Sequence, residues 1–246
     1  PQIKPVPIEE ARQLIKEMLE GFCFESEQAA VHAVARLLTP FCRGLMGWGA
    51  RPPLWVYEAN RERCGKDYLN GVIQTVHDGN IVSNPPFNSD EELRKKITAA
   101  LRSGMRRMHF ANMKGHISSG ALEEAVTNKV WNDRTLGHSE EKSYPNEIEF
   151  SLSCNIGTTW TPDLGNRMRI ISLFLAQEDP NERKFQYPDL HGWVRRRRGD
   201  ILSALWAFVR YWDEKGRPDG TNLFASFPEW AKVVGGIMCA CELGDP

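Results

Sequence analysis

The sequence predicts an α/β fold in which a parallel sheet is packed between helices. Short apolar runs that are typical of buried strands alternate along the chain with segments of helical periodicity, and that alternation favours a parallel sheet. The clearest run, residues 170–175 (IISLFL), is nearly continuous in β-type residues, as expected for a strand that is covered on both faces. With 246 residues the chain is long enough to bury a large core around such a sheet.

The composition is ordinary for a soluble globular protein, with 41% hydrophobic and 26% charged residues. The chain has 31 basic and 32 acidic residues, which excludes a histone-like polycation but is compatible with a local basic channel. No apolar run approaches the length of a membrane span, and the first residues lack the apolar core of a signal peptide. We therefore expect no membrane partner and a cytoplasmic location.

The cysteines are scattered along the chain. Only Cys239 and Cys241 are close together, and a one-residue gap is poorly suited to a zinc knuckle. Free, mostly buried thiols in a reducing compartment are the simplest interpretation. We expect no structural zinc.

The first 48 residues are predicted to be helical. Apolar residues recur at helical spacing over residues 11–22, and Ser26 is suited to cap a second helix. A glycine-rich stretch at 44–49 and Pro52-Pro53 then break the chain. We therefore divide the sequence into an N-terminal helical segment (1–48), an α/β core (49–178) and a C-terminal helical lid (179–246).

The most informative stretch follows the apolar run 54–57. Residues 59–67 (ANRERCGKD) are typical, with two departures, of a phosphate-binding loop, in which backbone N–H groups and a helix N-terminus surround phosphate oxygens. Asn60 stands where the first glycine is expected, and Asp67 replaces the Ser or Thr that holds Mg²⁺. The candidate nucleotide-binding residues of this loop are Asn60, Arg61, Arg63, Cys64, Gly65, Lys66 and Asp67.

The elements after this loop are predicted from caps and periodicity. Ser89 to Glu92 is a capping-box sequence, and the helix that it begins ends at Gly104. The later elements are a strand at 108–111, a helix around 120–128, a strand of period two at 148–153, a helical region after about 179 and a last helix from Pro228 to Cys241.

Several segments then occur in a fixed order. One strand ends at Ala111-Asn112, a second ends at Cys154-Asn155, and Arg167 directly precedes a third. Three further segments complete the order: 121–127, 131–137 and 227–236. Taken together with the loop, these segments resemble the AAA+-type helicase domain of phage, plasmid and genomic-island replication proteins, over roughly residues 26–246.

This resemblance implies a P-loop NTPase fold, a three-layer sandwich with a parallel sheet. It further implies that ATP and Mg²⁺ bind between the subunits of a homo-oligomeric ring. DNA, single-stranded or forked, would pass through the central channel of that ring.

The resemblance also assigns catalytic roles. Lys66 would bind the β and γ phosphates, Asn155 would be the polar sensor that orients water, and Arg167 would be the arginine finger offered to the neighbouring subunit. Such a finger is worth roughly 10³–10⁵ in rate. The residues also allow simpler interpretations, because Asn155 is able to cap a turn and Arg167 is able to pair with Asp163 at the i, i+4 spacing.

One expected residue is missing. Phosphoryl transfer needs an Asp or Glu at the tip of a motif strand to hold Mg²⁺, whereas residues 108–112 (MHFAN) contain no acid. Asp67, directly after the lysine, and Glu58, near the end of the first strand, are the candidate Mg²⁺ ligands. If neither reaches the metal, hydrolysis would be very slow.

Basic residues suggest two further contacts. Most of the run Arg195–Arg198 is expected to be a solvated helix face, but Arg198 falls on an apolar stripe and needs an anionic partner. A nucleotide phosphate beneath the lid would make Arg198 a second sensor. The candidate DNA-binding residues lie in loops that flank the motif strands, with the 137–146 loop favoured as a channel hairpin: Lys114, His116, His138 and Lys142.

Three functional hypotheses follow from the sequence. The first is the ATP-dependent helicase or translocase core of a mobile-element or phage replication protein. The second is a degenerate AAA+-like module that serves as an oligomerisation or recruitment scaffold, with little or no hydrolysis. The third, a phage kinase, ranks last because it does not explain an arginine placed directly before a strand.

Overall fold

A four-stranded parallel sheet forms the centre of the computed structural model, which describes residues 1–134, 141–176 and 185–246. In chain order the strands are β1 (Leu54–Ala59), β2 (Arg107–Met113), β3 (His116–Ile117), β4 (Val130–Arg134), β5 (Glu141–Pro145), β6 (Glu149–Asn155), β7 (Thr159–Trp160) and β8 (Met168–Leu173).

The central sheet has the strand order β2–β6–β1–β8, and all three pairings are parallel. β6 therefore lies between β1 and β2, and the register sets Asn155 beside Ala59 at the carboxyl edge. Two small ribbons complete the strands that are described, β3 with β7 in parallel and β4 with β5 antiparallel.

Helices pack on this sheet and on one another. In chain order they are α1 (Ile8–Leu19), α2 (Glu27–Leu38), α3 (Lys66–Asp78), α4 (Asp90–Arg102), α5 (Gly120–Thr127), α6 (Pro162–Gly165), α7 (Leu190–Arg196), α8 (Arg198–Glu214), α9 (Pro228–Trp230) and α10 (Gly236–Ala240). α2 contacts β8, α3 contacts β1, and α1 packs against α8 of the C-terminal segment. In the described parts of the chain, no helix combines the length and apolarity needed to cross a membrane.

The sheet is buried on both faces where β1 crosses the centre. Trp55 and Val56 are adjacent in sequence and both fully buried, because successive side chains of a strand point to opposite faces. Trp55 meets Trp230 edge to face, with ring centroids 5.8 Å apart. This two-sided burial explains why the strand reads as a continuous apolar run.

The predicted α/β class with a parallel sheet is confirmed. Ser26 and Ser89 cap α2 and α4 as predicted, each accepting a hydrogen bond from a backbone N–H three residues on. The last strand differs from its prediction, since β8 is shifted towards the N-terminus by two residues and leaves Phe174 and Leu175 outside it.

The C-terminal helix is also not uniform. A π-helical stretch, Ala231–Gly235, separates α9 from α10. There a Cβ on Gly236 would lie 2.2 Å from the carbonyl oxygen of Pro218, so the backbones approach more closely than other residues allow. The predicted boundaries at 48/49 and 178/179 remain predictions, and the second falls outside the described residues.

Candidate functional site

The loop between β1 and α3 has the backbone that the glycine predicts. Gly65 has φ 98° and Arg63 has φ 62°, both in the left-handed region. α3 begins immediately afterwards at Lys66. The N-terminal N–H groups of α3 therefore face the hollow of the loop, the arrangement that binds anions.

Lys66 and Asn155 meet at the carboxyl edge of the sheet. Lys66 is only 7% exposed, and its Nζ donates a hydrogen bond of 2.8 Å to Asn155 Oδ1. An ammonium group has three N–H bonds, so a phosphate can be bound while the contact with Asn155 persists. The structure thus brings together two of the predicted catalytic residues.

The side chain of Asn60 forms hydrogen bonds that hold the loop in place. Its Nδ2 donates to the carbonyl of Leu175 at 3.1 Å, and its Oδ1 accepts the N–H of Leu175 at 3.0 Å. The thiol of Cys64, which is buried, donates to the same Oδ1 at 3.3 Å. The side chain that replaces the expected glycine therefore holds the loop against the segment after β8. The backbone N–H of Asn60 donates to the carbonyl of Leu173 at 3.2 Å, so neither the side chain nor the N–H is offered to a phosphate.

An aromatic cavity opens beside the loop. Its volume is about 580 Å³, and it lies between the end of α1, the loop and the segment before α7. Four aromatic rings line its wall together with the carboxylates Glu17 and Glu20, and such rings can stack on a planar ligand. The residues that matter for this are Phe22, Arg63, Tyr68, Phe185 and Tyr187.

Asp67 is held by two strands. Its Oδ1 accepts from Ser153 Oγ on β6 at 2.5 Å and from His109 Nε2 on β2 at 3.2 Å. Because Nε2 of a neutral ring is then the donor, Nδ1 of His109 accepts from Ser151 Oγ, at 2.9 Å. Asp67 remains 46% exposed, whereas His109 is almost fully buried.

These contacts fix the charge of the pair. Burial alone would raise the pKa of Asp67, but the hydrogen bonds from His109 and Ser153 and the charge of Lys66 outweigh it, and the pKa is lowered. Burial lowers the pKa of His109, although Asp67 opposes that shift. Near neutral pH the site thus holds an ionised carboxylate beside a neutral imidazole.

Glu58 lies on the other face of the sheet. Its neighbour Tyr57 contacts the ring of His109, with centroids 6.0 Å apart, so strand alternation turns Glu58 away from Asp67. Burial, and then the charge of Glu25, raises the pKa of Glu58. The structure does not bring the two candidate Mg²⁺ ligands together.

The tip of β2 is irregular where an acid was expected. The register of β2 with β6 shifts between Phe110 and Met113, and Asn112 has φ 56°. The N–H of Asn112 donates to Ser153 Oγ at 3.0 Å. Ser153 therefore links the tip of β2 to Asp67.

Arg167 is engaged within its own chain. It forms an ion pair of 2.8 Å with Asp163 and donates to the carbonyl of Glu123 at 3.1 Å. It lies at the amino end of β8, and Lys66 lies beyond the carboxyl end of β1. One six-residue strand, about 20 Å, therefore separates Arg167 from the loop of its own chain.

Arg198 lies at the far end of α3. Its Nε and Nη2 donate to the carbonyls of Val76 and His77, both at 2.7 Å. α3 has 13 residues, so Arg198 is about 18 Å from Lys66. An arginine at a helix C-terminus satisfies carbonyls that have no partner in the helix, and we leave Arg198 out of the proposed nucleotide site.

Two of the candidate DNA-binding residues, His116 and Lys142, lie on the small ribbons. Lys142 is exposed on β5, which pairs antiparallel with β4 just before β6. The predicted channel role of the 137–146 loop stays a prediction. Lys114 precedes β3, and His116 Nδ1 lies 2.9 Å from Thr159 Oγ1 of β7. His138 lies outside the described residues.

His109, Ser151 and Ser153 were missed by the sequence reasoning. The signal was present, because β6 carries a polar residue at every second position from Glu149 to Asn155 although it is buried along almost its whole length. Within the described residues no cluster of three or more His, Cys, Asp or Glu side chains could hold a metal by itself.

Solved structures of other proteins share this architecture. Two structures of the NrS-1 C-terminal region match with a TM-score of 0.52, at 12% and 14% identity, over 83% and 82% of this chain. The likeness is one of fold. This chain spans about half of theirs, 48% and 47%.

A weaker similarity is found with the SCCmec type IV Cch active helicase, with a TM-score of 0.41 and 12% identity, over 97% of this chain and 46% of that one. No protein-family model matches the sequence, and no curated protein matches it closely.

Proposed function

We propose that this chain is the ATP-hydrolysing core of a DNA helicase or translocase that works as a homo-oligomer. One observation carries the proposal: a buried lysine at the N-terminus of α3, directly after a loop in left-handed backbone, donates to the polar residue at the tip of the neighbouring strand. A mobile-element or phage replication protein remains the context that the motif order favours.

The site accommodates the two ends of a nucleotide. The phosphates would lie in the loop against Lys66 and the N-terminus of α3. The aromatic cavity next to Gly65, whose wall includes Phe22 and Tyr68, would take the base. A triphosphate would therefore run from the cavity, along the loop, to the carboxyl edge of β6.

The donor set fits Mg²⁺. This ion usually takes one or two carboxylates, with substrate phosphates and water completing its shell. Asp67 offers an ionised, half-exposed carboxylate directly after the phosphate-binding lysine. When bound, Mg²⁺ would offset the charge of the phosphates.

Lys66 and Asn155 would have separate roles at the phosphates. Lys66 would hold the β and γ phosphates, and its hydrogen bond fixes the side-chain oxygen of Asn155. The amide N–H₂ group of Asn155 is then directed away from Lys66 and is able to donate to a γ-phosphate oxygen or to water.

Arg167 requires a second copy of the chain. Because it lies about one strand length, roughly 20 Å, from its own loop, it could serve as a finger only in a neighbour's site. DNA would be contacted by the β4–β5 hairpin, where Lys142 is exposed.

A second function is favoured by one observation. The tip of β2 has no acid and carries a bulge at Asn112, which would suit a scaffold with little or no hydrolysis. The two functions differ in turnover and share the fold and the nucleotide site.

The deciding experiment compares ATP hydrolysis by the wild type and Lys66→Ala, with and without single-stranded DNA. The oligomeric state of each sample is measured in parallel. We expect hydrolysis that rises with DNA and is lost in Lys66→Ala. Assembled wild-type oligomers that hydrolyse no ATP would contradict the motor and leave the scaffold.

A further inference from the structure

A row of buried polar contacts runs along one face of β6 to the candidate site. Each second residue of the strand contacts one polar side chain from another element. The pairs are Glu149 with Arg36, Ser151 with His109, Ser153 with Asp67, and Asn155 with Lys66. The last two pairs form the edge of the loop.

The third of these pairs reverses the usual distribution of groups. In P-loop proteins the residue after the lysine supplies a hydroxyl to Mg²⁺, and a strand supplies the carboxylate. Here the residue after the lysine is the carboxylate, Asp67, and the strand supplies the hydroxyl of Ser153.

We propose that the metal-holding pair of this site is inverted: Asp67 on α3 supplies the carboxylate that binds the Mg²⁺ of a bound nucleotide, and Ser153 on β6 is the positioning residue that orients it. This inference rests on the proposed nucleotide-binding function. His109 supports the same orientation from β2.

The hydrogen-bond geometry fixes which oxygen is offered. Ser153 is fully buried and accepts the N–H of Asn112, so its own O–H proton is directed to Asp67 Oδ1. His109 donates to the same oxygen. Both hydrogen bonds that the described residues make to this carboxylate fall on Oδ1, so Oδ2 is the oxygen offered to a metal.

The inversion also explains the missing acid. A carboxylate at Ala111 or Asn112 would stand close to the ionised Asp67, and two like charges in one site disfavour each other. With the carboxylate moved to α3, the tip of β2 needs only to support Ser153, which the N–H of Asn112 does.

The test separates metal-dependent from metal-independent nucleotide binding. Affinity for a fluorescent ATP analogue is measured in EDTA and in Mg²⁺ for the wild type, Asp67→Asn, Ser153→Ala and Ser153→Thr. Removing a residue that orients a metal ligand typically costs 10–100-fold in metal affinity. We expect Mg²⁺ to tighten wild-type binding, Asp67→Asn to lose that gain, Ser153→Ala to lose about tenfold of it, and Ser153→Thr to keep it.

Ser151→Ala is the matched control. Ser151 is on the same strand and face, two residues earlier and equally buried, but it contacts His109 instead of Asp67. We expect Ser151→Ala to change the Mg²⁺ gain less than twofold. Ser151→Ala should also bind the analogue in EDTA like the wild type.

The outcomes of this test distinguish the inverted metal-holding pair from the nucleotide-binding function on which it rests. A wild type that binds no nucleotide in either condition would overturn the proposed function and this inference with it. Nucleotide binding whose Mg²⁺ gain survives both Asp67→Asn and Ser153→Ala would overturn the inversion alone.

A separate observation concerns the opposite edge of the sheet. Trp48, in the glycine-rich stretch before β1, is 77% exposed. It borders a hollow of about 290 Å³ whose basic residues are Arg43, Arg106 and Lys129. Glu147, which pairs with Arg106 at 3.5 Å, is the carboxylate of this lining.

A buried arginine close to this hollow adds positive charge. Arg51 is 6% exposed, and its guanidinium donates to four backbone carbonyls, those of Val126, Ala125, Asn146 and Ile148. Burial, and then repulsion by Arg43, lowers the pKa of Arg51 to about 9. The region around the hollow is therefore positively charged.

We infer that this hollow, with Trp48 at its rim, is a contact site for a single-stranded nucleic acid. One base would stack on Trp48, and phosphates would lie against Arg43, Arg106 and Lys129. An aromatic ring beside a basic groove is the combination that binds single strands without sequence preference. Pro145, at the end of the β4–β5 hairpin, lines the same hollow, so a strand bound at the hairpin could continue into it.

The test is binding of a labelled oligo-dT by fluorescence anisotropy, at several salt concentrations. Stacking on an aromatic residue contributes roughly 1–3 kcal/mol per base, so we expect Trp48→Ala to weaken binding at least about fivefold and Trp48→Phe to weaken it less. Lys129→Gln should reduce the slope of the logarithm of the binding constant against the logarithm of the salt concentration by about 0.7. Trp206→Ala, which removes another exposed tryptophan, should bind like the wild type.

Wild-type affinity in Trp48→Ala would overturn this site. So would a Trp48→Ala variant that dissociates into smaller oligomers while each subunit keeps its DNA affinity, because Trp48 would then cover a neighbouring copy. ATP-analogue binding should be unchanged in Trp48→Ala.

Discussion

At the scale of single residues, the buried ion pair of Arg36 and Glu149 is the electrostatic interaction whose loss should destabilise the protein most. The atoms are 2.6 Å apart, and the two side chains are 1% and 2% exposed. Each charge is tolerated in the interior only because the other neutralises it. The pair also anchors the row of polar contacts along β6.

Glu149→Gln should therefore destabilise the protein by about 3–5 kcal/mol, because it leaves Arg36 charged and unpaired. Urea denaturation measures this change in the free energy of unfolding. Glu91→Gln, which breaks an exposed i, i+4 pair with Lys95, is the control and should destabilise the protein far less, because water screens that pair. Equal effects of the two variants would contradict the role of burial.

His77 should make stability depend on pH. Burial, and then the charge of Arg107, lowers its pKa to about 3, while Nε2 lies 2.8 Å from the carbonyl of Leu37. The unfolded chain takes up a proton near pH 6.5 and the folded chain does not, so stability is lost as pH falls from about 6.5 towards 3.

The slope from His77 alone approaches about 1.4 kcal/mol per pH unit. Thermal unfolding of the wild type and His77→Gln between pH 7 and pH 5 measures it, and the variant should show a shallower decline. Parallel curves for wild type and His77→Gln would refute the assignment.

At the scale of elements, α3 is fixed at both ends by residues from distant parts of the chain. Its N-terminus carries Lys66, which donates to Asn155 of β6, and its C-terminus receives two hydrogen bonds from Arg198 of α8. The C-terminal end of α3, which is the end away from the phosphate loop, is therefore hydrogen-bonded to the C-terminal segment, while its N-terminal end is hydrogen-bonded to the sheet.

Arg198→Ala should destabilise the protein by about 1–3 kcal/mol, since two carbonyls lose their partner. Nucleotide affinity should stay within about twofold of the wild type, because Arg198 is about 18 Å from Lys66. Urea denaturation and ATP-analogue binding on the same samples check both. A large loss of affinity with unchanged stability would instead support a second-sensor role.

At the scale of the whole molecule, the position of Arg167 predicts that an active site needs two copies. Lys66→Ala and Arg167→Ala oligomers should each be inactive. If they are mixed as subunits and reassembled, about one interface in four would pair an intact Lys66 with an intact Arg167. Partial recovery of ATP hydrolysis in the mixture is the expected result.

Arg167→Ala alone should still bind the ATP analogue, which shows that its loop is intact. Asp163→Ala is the control, since it releases Arg167 from its ion pair without removing the guanidinium. A mixture that stays inactive while mixed oligomers form would argue against action between subunits.

The sequence by itself determined the local features. Strand and helix periodicity gave the α/β class with a parallel sheet, and Ser26 and Ser89 cap the helices that they precede. The pair Gly65-Lys66 located the loop. A glycine directly before a helix indicates left-handed backbone at that position, and the two residues are adjacent in the sequence. Such signals lie within a few positions of one another, so they can be read without the fold.

Only the tertiary structure decided the partners of the site. Ser153 is 86 positions from Asp67 and His109 is 42 positions from it, and they meet because β6 lies between β1 and β2. Arg198 was expected at a phosphate and lies instead at the far end of α3. Strand order and register bring distant residues together, and the periodicity of the sequence does not specify which strands pair with each other.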